Sequence, residues 1–243
     1  MHHFVVDHWS QSDSPLHRRD ARAKLFVLVA TLLAVATAPA QFQWTGVGLA
    51  APILAGFLIA RIPLGAALLR GLVVLPFTAT FALISYVGGD VERAAALLWK
   101  SYLSGLAVLL AVSTTPFPHF LRAAEWWGTP SFLVTVIQFV YRYLFVISEQ
   151  VQHMRMAAAC RGSGGRGWLF QRDHVAAAAG AVSVLFSRSM ARAEGIHRAM
   201  IARGFRGHIL TLDSPRFGWL DVVFAVAAAG GLVALRIVLG RVS

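Results

Sequence analysis

Two short runs, AAACRGSGGRG at residues 157–167 and AMIARGFRG at 199–207, each set a small residue, an arginine and a glycine in succession. The triplets are Cys160-Arg161-Gly162 and Ala202-Arg203-Gly204. An arginine guanidinium is permanently charged and presents five donors in a planar fork that matches carboxylates. That is recognition chemistry rather than bond-making chemistry. A glycine just past the last turn can take the left-handed conformation that closes a helix, and a basic residue there complements the helix dipole. One such end reads as an ordinary cap. Two of them, 42 residues apart (203 minus 161), read as a docking surface. Ala157, Ala158 and Ala159 before the first triplet, and Ala199 and Ala202 at the second, let helices cross closely. Met154, Met156, Met190 and Met200 add adaptable apolar contact suited to a partner that moves.

Other chemistry finds little support. GSGGRG at 162–167 fits G-x-G-x-x-G in form, but it follows a helical run and not a strand, so dinucleotide binding is not indicated. No P-loop pattern and no H-E-x-x-H occurs. His2, His3 and His8, with Asp7, could attract a transition metal, but a polar N-terminal tail explains them as well. His153, His174, His197 and His208 are scattered without a paired i, i+4 spacing. Cys160 is the single cysteine, which excludes an internal disulfide and a cysteine metal cluster. The sequence therefore predicts no catalytic residues, no bound cofactor and no metal site. Any ATP hydrolysis belongs to another polypeptide.

The elements that carry the two triplets follow from hydropathy and charge. Of 243 residues, 57% are hydrophobic and 14% charged, yet the formal net charge is +11. This composition marks a polytopic membrane protein with arginine-rich cytoplasmic loops, not a nucleic-acid binder. A spanning helix needs about 20 mostly apolar residues. Five runs approach that, at 25–40, 44–60, 71–88, 94–113 and 217–239. Arg18, Arg19, Arg22 and Lys24 precede the first, so the N-terminus is expected in the cytoplasm, with no cleavable signal. Arg61 and Arg70 mark the next inner loop; Asp90, Glu92 and Arg93 mark an outer one. Residues 131–148 are apolar but contain Gln138 and Arg142, and 174–187 are short and alanine-rich. If 131–148 crossed, nine following arginines would lie outside, against the positive-inside bias.

The expected fold is thus an all-α integral membrane protein of about five transmembrane helices. Its parts are a cytoplasmic segment 1–24, a four-span part 25–113, a helical cytoplasmic coupling region 114–216, and a last span with the C-terminus at 217–243. The coupling region holds twelve arginines against five acidic residues. Ionisable residues are nearly absent from the spans, with Asp221 and Arg236 intruding near the ends of the last one, which argues against a proton-coupled pump. Ser101/Gly105 and Ala227/Gly231 have the small-residue spacing of close helix packing.

DARAKL at 20–25, TTPFPHFLRAAEWWGTPSF, YRYLFVISEQVQHMRMAAACRG and RAEGIHRAMIARGFRG together resemble the transmembrane T component of energy-coupling factor transporters. Its cobalt-type member, CbiQ, is the nearest match, over residues of about 15 to 210. The resemblance implies two cytoplasmic coupling helices ending in Ala-Arg-Gly, each docked in a groove of one of two ATP-binding-cassette subunits. It also implies a membrane-embedded capture subunit, CbiM-like, and a small accessory membrane subunit as further partners. On this reading the chain is a non-catalytic scaffold in the inner (plasma) membrane, serving Co²⁺ uptake. Ala202-Arg203-Gly204 matches the pattern in full, and Cys160-Arg161-Gly162 departs from it by cysteine for alanine. A nickel or vitamin T component, a self-sufficient carrier or channel, and a multispan membrane enzyme stand as alternatives.

Overall fold

The computed structural model describes residues 14, 16, 19–38, 43–163, 172–205 and 218–242, and these are helical almost throughout. Nine α-helices follow in order among the described residues. They are α1 (Ala21–Ala36), α2 (Gln43–Ile59), α3 (Leu64–Gly71), α4 (Leu75–Val87), α5 (Val91–Thr114), α6 (Phe117–Trp126), α7 (Ser131–Ala158), α8 (Arg172–Ala202) and α9 (Trp219–Val242). A 3-10 turn, Leu72–Val74, joins α3 to α4, and a π turn, Ala159–Ser163, follows α7. No strand occurs among the described residues, and the protein is an all-α membrane protein. The chain divides into two compact units, residues 1–127 with 213–243, and residues 128–212.

The first unit is built around α5, on which α1, α2, α3 and α4 all pack. Val35, Leu49, Ile53, Phe57, Trp99 and Leu106 fill its core. Small residues bring the helices together. A β-carbon at Gly105 would stand 3.0 Å from Val74 Cγ2, and one at Gly71 would stand 2.9 Å from Leu106 Cδ2. The expected close packing at Gly105 is therefore present, whereas Gly231 faces open space. Leu69, Val73, Phe77, Phe81 and Ile84 run along one exposed stripe of α3 and α4. A helix apolar on its outward face, with no polar shell, is suited to lipid.

Boundaries differ from expectation in two places. The third apolar run begins at Leu64 and not at 71, and forms a continuous helical stretch to Val87. Arg70 accordingly lies inside α3 and not in a loop with Arg61. The cause is local: Pro63 takes the N-cap position, and Ala67, Leu64 and Leu68 turn toward the core. The loop shrinks to a tight reversal in which Arg61 adopts φ +57°. Its neighbour Ile62 donates its N–H to the Phe57 carbonyl at 3.2 Å, closing α2. The second difference concerns α6. Phe117–Trp126, expected at the start of the coupling region, packs on α1 in the first unit.

Three helical stretches among the described residues are long and apolar enough to cross a membrane: Leu64–Val87, Val91–Thr114 and Ser131–Arg161. Gly46–Ile59 and Asp221–Gly231 are shorter apolar helices. By length and composition, then, the stretch containing 131–148 qualifies. Charge placement was the reason to expect it outside the bilayer.

Candidate docking site

In the second unit, the C-terminus of α8 carries the second triplet. Gly204 has φ +74°, the left-handed region. Its N–H donates to the Ile201 carbonyl at 2.9 Å, and the Phe205 N–H donates to the Met200 carbonyl at 3.0 Å. That crossed pair of bonds is the Schellman closure, with glycine at the position that must turn left-handed. Nothing lies within 4 Å of where a β-carbon at Gly204 would stand, so the demand for glycine is purely conformational. Ala202, Arg203 and Gly204 are all exposed. The expected cap is present, and the arginine projects from it into open space.

The first triplet ends its helix differently. Cys160, Arg161 and Gly162 lie inside the π turn Ala159–Ser163, so the chain keeps winding past Gly162 instead of closing there. A π turn spaces its hydrogen bonds one residue wider than an α-helix, and such turns recur at functional positions. The helical winding thus runs one residue past Gly162, where the sequence placed the helix end. Ala157, Ala158, Ala159, Cys160 and Arg161 are all exposed. A wider turn with only small side chains before it leaves the Arg161 guanidinium free to meet a partner surface.

α7 and α8 pack on each other and run in opposite directions along two clefts. The first, about 460 Å³, sets Phe139, Tyr143 and Ile147 of α7 against Ile196 and Met200 of α8. It is apolar, and Phe139 stacks on Tyr143 with ring centroids 6.3 Å apart. The second, about 920 Å³, sets Glu149, His153 and Arg161 against Val184, Arg188 and Arg192. Arg161 therefore faces the Arg188 stretch of α8, and Arg203 lies about four turns farther on, roughly 22 Å at 1.5 Å per residue. The two triplets are not brought into one site; they sit at two separate places on one helix pair.

Sequence reasoning counted Arg188 and Arg192 as part of a general excess but missed their convergence with Arg161. Their i, i+4 spacing places them on one face of α8 and was the available signal. What it could not supply was the antiparallel register that sets this face against Glu149 and His153 of α7. Elsewhere on α8, Arg198 pairs with Glu194 at 3.6 Å, both well exposed, a contact of little energetic weight. His2, His3, His8 and Asp7 lie outside the described residues, as do Arg166 and Arg206. Among the described residues no group of three or more His, Cys, Asp or Glu side chains is placed to hold a metal ion. The arginines can pair with acidic groups, and the first cleft offers apolar surface.

A family model described as "Cobalt transport protein", CbiQ, matches residues 12–212. The cobalt transport protein CbiQ of Rhodobacter capsulatus is 25% identical over 122 residues, which are 50% of this chain and 48% of that protein. The match thus spans about half the length of that curated relative.

Proposed function

Because the chain belongs to the CbiQ cobalt transport protein family, we propose that it is the transmembrane scaffold of an energy-coupling factor importer for Co²⁺. In this role it couples ATP hydrolysis by two separate ATP-binding-cassette subunits to a CbiM-like capture subunit in the plasma membrane. A small accessory membrane subunit is a further partner. The N-terminus and residues 128–212 face the cytoplasm, where the ATPases are. The observation that carries the reading is the pair of exposed arginine-bearing helix ends, Arg161 and Arg203, at separate points of one helix pair.

The physical argument is one of division of labour. Each end offers a single forked cation beside small side chains, enough to seat a helix end in a groove and pair with a carboxylate. Two such contacts on an antiparallel pair convert relative movement of two ATPases into tilt of the pair. The sequence carries no P-loop pattern, and among the described residues no group of His, Cys, Asp or Glu is placed to hold a metal ion; on this reading the cargo is recognised by the capture subunit. Residues 131–148 then lie along the cytoplasmic face, consistent with the arginines that follow them.

Co-expression is the test. The chain purified alone is expected to hydrolyse no ATP and to move no Co²⁺. Together with candidate ATPase and capture subunits it is expected to co-purify with both and to support ATP-dependent uptake of radiolabelled Co²⁺, with Ni²⁺ as comparison. ATP turnover by the rigorously purified chain alone, or failure of any ATPase to co-purify, contradicts the scaffold role.

A further inference from the structure

Six consecutive residues, Arg19–Lys24, hold helix ends that are far apart in sequence. Asp20 caps α1: its Oδ1 accepts the Arg22 N–H at 2.9 Å. The start of α9 is fastened by Asp221. Its Oδ1 accepts the Asp20 N–H at 3.4 Å and faces the Arg19 guanidinium at 3.7 Å. Its Oδ2 accepts the Gly218 N–H at 3.2 Å. The end of α5 is fastened by Lys24, a buried residue (6% exposed) whose ammonium donates to the Thr114 carbonyl at 2.7 Å. Asp20 and Asp221 supply the countercharge to that ammonium. The end of α6 meets the same segment, with the Arg22 guanidinium 5.6 Å from the centroid of the Trp126 ring.

Two of these, the end of α6 and the start of α9, are the helix ends that border residues 128–212 along the chain. The chain leaves the first unit just after Trp126 and returns at 213 on its way to α9. Both crossing strands are thus secured to one short segment at the head of α1. Apolar helix contacts are non-directional, so such helices can slide on one another. Charge-assisted hydrogen bonds are short and directional, and they gain strength where water is scarce. A joint built from them turns with its neighbours as a unit.

We propose that the Arg19–Lys24 segment, with Asp221 as the residue that closes it, is the positioning device that carries movement of residues 128–212 into the membrane spans. This rests on the scaffold reading above. It predicts a class of variant that assembles and hydrolyses ATP but does not transport. Nothing in the docking ends requires such a class.

The experiment uses the co-expressed complex and compares wild type with Asp221→Ala, Asp221→Glu and Trp126→Leu. Membrane abundance, ATPase co-purification, ATP hydrolysis and Co²⁺ uptake are measured for each. Asp221→Ala is expected to retain complex and hydrolysis while uptake per ATP falls about tenfold, through loss of the contacts to Arg19, Asp20 and Gly218. Asp221→Glu keeps the charge and is expected to recover most of that ratio. Trp126→Leu, at an exposed position that keeps apolar contact, guards against loss of folding in the Asp221 variants and is expected to lower the ratio about threefold, the loss of one cation–π contact. Unchanged uptake per ATP in Trp126→Leu and in whichever Asp221 variant inserts, with any loss tracking abundance alone, makes the joint merely structural and overturns the proposal. Failure of the wild-type chain to recruit ATPases would instead overturn the scaffold reading, and it is seen before any variant is compared.

Discussion

Gly204 shows how a single residue sets the direction of a functional side chain. Its φ of +74° and the open space around it separate conformation from packing. A side chain there meets no obstacle, yet a non-glycine residue in the left-handed region costs about 1–2 kcal/mol, least for asparagine. Valine suffers most, because its branched β-carbon crowds the backbone in this region. ATPase co-purification is therefore expected to fall in the order wild type, Gly204→Asn, Gly204→Ala, Gly204→Val, at equal membrane abundance. Equal capture by all four would mean that the left-handed turn has no part in aiming Arg203. Gly162 should respond differently, since it sits within a π turn and not in a Schellman closure. Residue types were legible at this scale: arginine, small neighbours and glycine announced a helix end at both places. The difference between the two ends was not legible, because a π turn depends on hydrogen-bond register and not on residue type alone.

At the scale of elements, runs of hydropathy located the helices well, since both lipid and protein interior demand apolar side chains. They failed where a helix begins with a mixed sequence. α3 carries Arg70 and starts after Pro63, and only the packing of Ala67 and its neighbours on the core makes it continuous with α4. Convergence of Arg188 and Arg192 with Arg161 was hidden for a related reason: the antiparallel register of α7 and α8 is a tertiary property. The placement of α7 is the open choice at this scale, for its length and composition suffice to cross a bilayer. Charge argues otherwise, because the arginines of α8 follow it. With Cys160→Ser as background, a cysteine introduced at Gln150 or Gln152 is expected to resist an impermeant thiol reagent added outside intact cells. It should react once the membrane is opened. Labelling from outside would move α7 across the bilayer and reverse the sidedness of Arg161 and Arg203.

For the whole molecule, the net charge of +11 and the apolar surface belong to two different tasks. The first unit exposes apolar stripes such as Leu69, Phe77 and Ile84, while residues 128–212 expose arginines such as Arg161, Arg188, Arg192 and Arg203 beside apolar side chains such as Phe132, Val140 and Phe186. On the proposed reading, docking at two points means that one loss weakens assembly and two abolish it. Removing one arginine leaves its partner unpaired at an interface, which costs about 2–5 kcal/mol, and each 1.4 kcal/mol is a tenfold change in affinity. Arg161→Ala or Arg203→Ala alone should weaken ATPase capture, and lysine should substitute poorly for lack of the planar fork. The most direct measurement is Co²⁺ uptake and ATPase co-purification by the Arg161→Ala/Arg203→Ala double variant at wild-type membrane abundance. The docking account predicts that both are lost while the protein stays inserted. Wild-type uptake with an intact complex would contradict it and leave the two arginine ends as helix caps only.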